Sequence, residues 1–139
     1  MLSRRMFAGC AICAAIGLVA DDGSAQQTQP FPGVKRTIIG RRDGPSEGYE
    51  TVESIVEFEP NKTVDWHTHP GTEAGYVLEG GGEWRVKGEA TVTMTPGTNW
   101  VIAPDTPHSG RSGPQGSKLV FTHVVQKGKP FLTTVPAPA

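Results

Sequence analysis

Two histidines one residue apart and a carboxylate four residues on stand in the stretch DWHTHPGTEAGYVLEG, Asp65 to Gly80. On an extended strand, residues two apart share a face with Cα atoms about 6.5 Å apart, so His67 and His69 can meet one ion at roughly 2.1 Å each. Trp66 and Thr68 then point the other way. Pro70-Gly71 reads as a turn, which lets Glu73 begin the next strand beside the one carrying the histidines and deliver a third ligand locally. A fourth group is needed from elsewhere, and APDTPHSG, where His108 opens a strand after a proline-rich corner, offers a candidate. A single exposed His or Glu is ordinarily a surface group. The joint pattern H-x-H-x3-E-x6-G, by contrast, arises by chance with a frequency on the order of 10⁻⁶ per starting position.

The remaining histidine, His123, lies in KLVFTHVV, where alternation places Leu119, Phe121, His123 and Val125 on one face. It either stands behind the ligands or serves as a general base, or it is a hydrogen-bonded histidine of the core. Trp66, Trp84, Trp100, Tyr76 and Phe121 are candidates to wall a pocket, although such residues also simply fill barrels. Arg85, Lys87 and Arg111 are candidates to steer an anion toward the site.

The elements that must hold these groups are short β-type runs. VKRTII, ETVESIVEFE, TVDWHTH, EAGYVLE, GEWRVKG, ATVTM, NWVIA, HSGR and SKLVFTHVV are separated by Asp43-Gly44-Pro45, Pro60-Asn61, Gly80-Gly81-Gly82, Pro96-Gly97 and Gly113-Pro114, each read as a tight reversal. No run keeps a helical period. Strands recurring every ten residues or so predict an all-β sandwich or barrel. A chain of 139 residues holds one such domain, predicted over 34–128, with KPFLTTVPAPA, 129–139, leaving as an extended strand or loose end. A formal net charge of -1 offers no basic stripe for nucleic acid. Small molecules are the expected partners.

The amino terminus reads as an export signal rather than as fold. Two arginines precede an apolar run, Ala8 to Ala20, and small residues at Gly23 and Ala25 suit a signal peptidase. Cleavage after Ala25 leaves a linker over 26–33. The run is too short to span a bilayer and is followed by Asp21-Asp22, so no membrane anchoring is expected of the mature chain. Ser3-Arg4-Arg5-Met6-Phe7 resembles the twin-arginine signal, which implies a periplasmic or secreted protein exported already folded. Cys10 and Cys13 fall within this segment, so the mature protein has no thiol for a disulfide or a nucleophile.

The histidine motif resembles the first motif of the cupin superfamily, G-x5-H-x-H-x3,4-E-x6-G. His67, His69, Glu73 and Gly80 match it, with Asn61 in place of the leading glycine. GTNWVIAPDTPHSGRS resembles the second motif, G-x5-P-x-G-x2-H-x3-N. Gly97 and His108 match, while Ala103, Asp105 and Ser112 replace the Pro, Gly and Asn.

The resemblance implies a single cupin-type jelly-roll β-barrel with a divalent metal on His67, His69, Glu73 and His108. Three neutral imidazoles and one carboxylate leave the ion a net +1 with open positions. Fe, Mn, Ni, Cu, Zn and Co accept such donors, and export of a loaded protein favours Mn or Fe. The expected activity is a small oxidoreductase of dioxygenase-like chemistry. A non-catalytic binding or sensing module, or an isomerase or lyase, are the alternatives. Resemblance to small cupins also implies a homodimer, with VKRTII as an exchangeable edge.

Overall fold

A computed structural model of the chain describes residues 31–139. The expected signal peptide, 1–25, and most of the linker lie outside the described residues. The nine expected runs become eight strands: β1 Val34–Asp43, β2 Tyr49–Phe58, β3 Thr63–Thr68, β4 Gly71–Val86, β5 Val92–Met94, β6 Asn99–Ile102, β7 His108–Gln126 and β8 Thr133–Thr134. Every pairing between them is antiparallel, and the described residues contain no helix. The all-β jelly roll expected from the motifs is the architecture observed.

The difference in strand count has a physical cause. EAGYVLE and GEWRVKG form one 16-residue strand, β4, because Gly80-Gly81-Gly82 bends the chain without reversing it. The register against β7 slips between Gly80 and Gly82, and Gly80 takes a φ of 74°. A Cβ on Gly80 would lie 2.2 Å from the Gly116 carbonyl oxygen, so only glycine permits the close approach. HSGR and SKLVFTHVV likewise merge into the 19-residue β7. Pro114 falls in the stretch between Ser112 and Ser117 where β7 has no ladder partner, so its missing N–H costs no hydrogen bond.

This makes β7 the spine of the barrel. Its Ser117–Gln126 half lies between β2 and the first part of β4. Its first residues, from His108, lie between β3 and the far part of β4. Alternation fixes what faces inward: Leu119, Phe121, His123 and Val125 are all buried. Leu119 and Phe121 join Val56, Phe58, Val64, Val77, Trp84 and Met94 in the core. At one edge β1 pairs only with β2 and leaves Ile38 and Ile39 exposed.

Two expectations about neighbours change. Glu73 does not begin a strand beside β3: β4 starts at Gly71 and pairs with β5, β6 and β7, whereas β3 pairs with β7 and β8. The Pro70-Gly71 step therefore carries the chain across the barrel, not back along it. The carboxyl-terminal segment is extended, as expected, but not loose. It returns to the barrel as β8, with Thr134 opposite His67 and the Val135 N–H donating to the Trp66 carbonyl.

Candidate metal centre

The ligand candidates reach the site from three strands or their ends. His67 lies on β3 and His69 just after it. His108 opens β7 opposite His67, and Glu73 stands on β4 opposite His123 and Ile102. Their ligand atoms all lie within 4.8 Å of one another, and all four residues are buried. The structure thus assembles the full predicted set, with Glu73 arriving from across the barrel.

The departures from the motifs are resolved by local geometry. Asn61 and Asp105 are the two non-glycine residues with positive φ among those described, at 58° and 56°. Both stand where a motif glycine would be, and Asn and Asp tolerate that conformation better than other side chains. The Asp105 N–H donates to the His69 carbonyl, which ties the corner before His108 to the histidine strand. Ser112, in place of the motif Asn, donates from Oγ to the Glu59 carbonyl at 2.6 Å and accepts from the Lys62 N–H at 2.9 Å. It holds the turn that launches β3.

The imidazoles are pre-oriented. His67 Nδ1–H donates to the Asp65 carbonyl at 2.7 Å, His69 Nδ1–H to the Phe131 carbonyl at 2.6 Å and His108 Nδ1–H to the Thr106 carbonyl at 2.8 Å. Each bond fixes the tautomer and leaves Nε2 as the inward lone pair, the arrangement metal-binding histidines use. Sequence reading missed Phe131 entirely, because a backbone acceptor 62 residues from its donor leaves no local signal.

Glu73 is the hub. Its Oε2 lies 3.2 Å from His69 Nε2, 3.3 Å from His108 Nε2 and 3.1 Å from His123 Nε2. Its Oε1 accepts from Trp100 Nε1 at 3.1 Å. Trp100 fits there because Gly75 opposes it; a Cβ at Gly75 would meet the indole at 2.5 Å. Burial alone would raise the Glu73 carboxyl, but the surrounding imidazoles hold it well below the usual range. Burial, with His108 and His69 beside it, pushes His67 down to about 3. Burial also opposes charge on His108, yet the Glu73 carboxylate and the Thr106 carbonyl outweigh it and raise its pKa.

These residues fit a divalent ion. His108 Nε2 is buried and makes no hydrogen bond, and a lone pair without a donor facing it is what a Lewis acid satisfies. His67, already held neutral, need not lose a proton to bind.

His123 takes the place expected of a hydrogen-bonded histidine of the core, and it stands behind the ligand candidates. It is a hydrogen-bonded buried residue, with Nε2 on Glu73, and it also lines a cavity of about 520 Å³ that reaches His67, His69 and Glu73. Its Nδ1 is buried without a partner. Trp84 and Phe121 line this cavity as well, whereas Trp66, Trp100 and Tyr76 do not. Trp100 instead stacks on Trp84 at 4.5 Å, and Tyr76 is exposed. Arg85 pairs with Glu83 at the surface, and Lys87 and Arg111 are exposed and line no part of the cavity. The cation that does reach the cavity is Arg36 of β1, which sequence reading passed over.

The structure is similar to KdgF from Halomonas sp., with a TM-score of 0.61 at 20% identity over 73% of this chain and 86% of that one. It is similar to the polyketide cyclase RemF from Streptomyces resistomycificus, with a TM-score of 0.63 at 19% identity over 81% and 78%. For the DMSP lyase DddQ from Ruegeria pomeroyi DSS-3 the TM-score is 0.63 at 15% identity, over 73% of this chain and 51% of that one. At such identities the likeness is one of fold. No curated protein matches the chain in sequence. Residues 54–125 match the Cupin_2 family, described as a cupin domain, and the match takes in all four ligand candidates and His123: the chain is a member of the Cupin_2 family.

Proposed function

We propose that this cupin is a metal-dependent enzyme that acts on a small organic substrate, with oxidoreductase chemistry of the dioxygenase kind on Mn or Fe. The observation that carries the reading is the buried set His67, His69, Glu73 and His108, its three imidazoles pre-oriented by backbone carbonyls, with His67, His69 and Glu73 lining a cavity of about 520 Å³, within the range of small-molecule sites. When bound, a divalent ion would supply a Lewis acid and open coordination positions. The chain's own residues do the rest. Phe58, Val64, Trp84 and Phe121 exclude water around the substrate, and Trp100 fixes the Glu73 carboxylate through Oε1. His123 holds a proton between its Nε2 and Glu73 Oε2 and keeps a free Nδ1.

That free nitrogen favours a second reading, an isomerase or lyase in which His123 moves a proton on the substrate. The test is metal analysis of the protein from its natural compartment, followed by O₂ uptake with catechols, flavonols and small organic acids. Stoichiometric Mn or Fe with O₂ uptake supports the oxidoreductase. Turnover without O₂ uptake moves the assignment to the second reading, and bound metal with no turnover leaves a binding module.

The same proposal includes export and dimerisation. The twin-arginine-like segment supports the first: changing Arg4→Lys and Arg5→Lys should trap precursor in the cytoplasm, and normal export would overturn that route. The one-sided β1, with Ile38 and Ile39 exposed, supports a dimer through this edge. Sedimentation of Ile39→Lys should give a monomer.

A further inference from the structure

Arg36 sits on the inward face of β1, two residues from buried Val34 and opposite Val56 of β2, and all three line the cavity. Its Nε donates to Ser54 Oγ at 3.2 Å, and Ser54 is wholly buried. One face of the guanidinium lies 3.7 Å from the centre of the Phe131 ring. These two contacts fix the plane of the group and leave its far end over. Among the described residues Arg36 has no carboxylate partner, and its Nη2 is buried without a hydrogen bond.

A guanidinium carries five donors, and removing it from water without an anion is costly. Burial is the main reason its pKa falls to about 10, and Arg41 lowers it further. Glu73 acts on it from a distance in the opposite sense, but the carboxylate is occupied by Trp100 and the imidazoles. No lysine lines the cavity and Arg36 is its one arginine. The site therefore has one cation away from the ligand set, between apolar walls.

We infer that the cavity takes a small organic monocarboxylate, with its carboxylate on the fork of Arg36, its apolar body against the Val and Phe walls, and a second polar atom turned toward the imidazoles and Glu73. A planar, pre-oriented guanidinium matches a carboxylate with two parallel hydrogen bonds. A phosphate, with its higher charge, would call for more than one cation. This inference rests on the reading of the cavity as the substrate site, and it names the substrate class.

The test is calorimetric titration of benzoate, phenylacetate and hexanoate, each against its own amide, on metal-loaded and metal-free protein. The acid should bind at least tenfold more tightly than the amide in at least one pair. Arg36→Gln should erase that preference at unchanged metal content, and Arg36→Lys should keep part of it. A role confined to stacking on Phe131 would not separate acid from amide. Equal binding of acids and amides, or no saturable acid binding, overturns the inference, as does a preference that survives Arg36→Gln. A preference lost on metal removal yet kept in Arg36→Gln would assign the carboxylate to the ion. Loss of metal binding by the histidine set, with the acid preference intact in metal-free protein, would instead strike the metal-dependent reading alone.

Discussion

The two ends of β7 each carry a buried histidine within 3.3 Å of Glu73 Oε2, His108 at the start and His123 near the end, yet the structure gives them opposite characters. His108 has its Nδ1 tied to a carbonyl two residues back and its Nε2 left without a hydrogen bond. His123 has its Nε2 on the carboxylate and its Nδ1 left over. The acceptor behind the ring makes the difference. Thr106 stands in a proline-rich corner that turns its carbonyl to His108, while His123 is flanked on both sides by paired strands, where backbone carbonyls are taken up by the ladders to β2 and β4. Proximity to a carboxylate does not make a ligand. A fixed tautomer with an inward lone pair is the arrangement a metal ligand needs.

The sharpest way to break this contrast is to remove each ring in turn. His108→Ala, like His67→Ala, should cost metal affinity on the order of 10²-fold or more and abolish stoichiometric metal by elemental analysis, since it deletes a donor from a set of four. Full occupancy in both variants would sink the site. His123→Ala should keep stoichiometric metal and lose on the order of tenfold in affinity, as for a group that orients a ligand, with His123→Asn restoring part of it.

Between these in size lies the pH response of the metal-free protein. His67 and His123 are held to about 3 and about 4, in both cases chiefly by burial. The unfolded chain, with ordinary histidines near 6.5, therefore binds more protons below that pH. The stability these two contribute is full above about 6.5 and is lost as pH falls, down to about 4 for His123 and about 3 for His67. By pH 5 each has lost about 2 kcal/mol by linkage. The raised pKa of His108 works the other way and offsets part of the loss. Thermal melts from pH 7 to pH 5 should show a fall in Tm, and imidazole NMR should find His123 neutral where His108 is charged. Parallel titration of the two would dissolve the comparison.

The smallest effect should come from the middle of the strand. Ser112→Ala frees the turn before β3, and water can reach the released Lys62 N–H, so about 1 kcal/mol of stability is expected to go, with metal content retained.

The two histidines were legible because a strand writes its faces as alternation, and the full ligand set because His67, His69, Glu73 and His108 resemble the cupin motifs in spacing. Asn61 and Asp105 depart from the glycines of the motifs. They prove to be the residues other than glycine that accept positive φ at little strain, so the motif's geometry survives its altered letters. The bends at Gly80-Gly81-Gly82 and Gly113-Pro114 were misread as reversals, since a bulge and a turn draw on the same residue types. Arg36 was hidden for another reason. In VKRTIIGRRD four basic residues look alike, and only pairing with β2 shows that one of them faces inward.

The return of the tail to the barrel ties two parts of the site together. Phe131 supplies the carbonyl that orients His69 and the ring that lies against Arg36, yet it follows all of these residues in the chain. One segment thus couples the orientation of a ligand candidate to the closing of the cavity: where it detaches, the His69 ring is freed and that wall opens together.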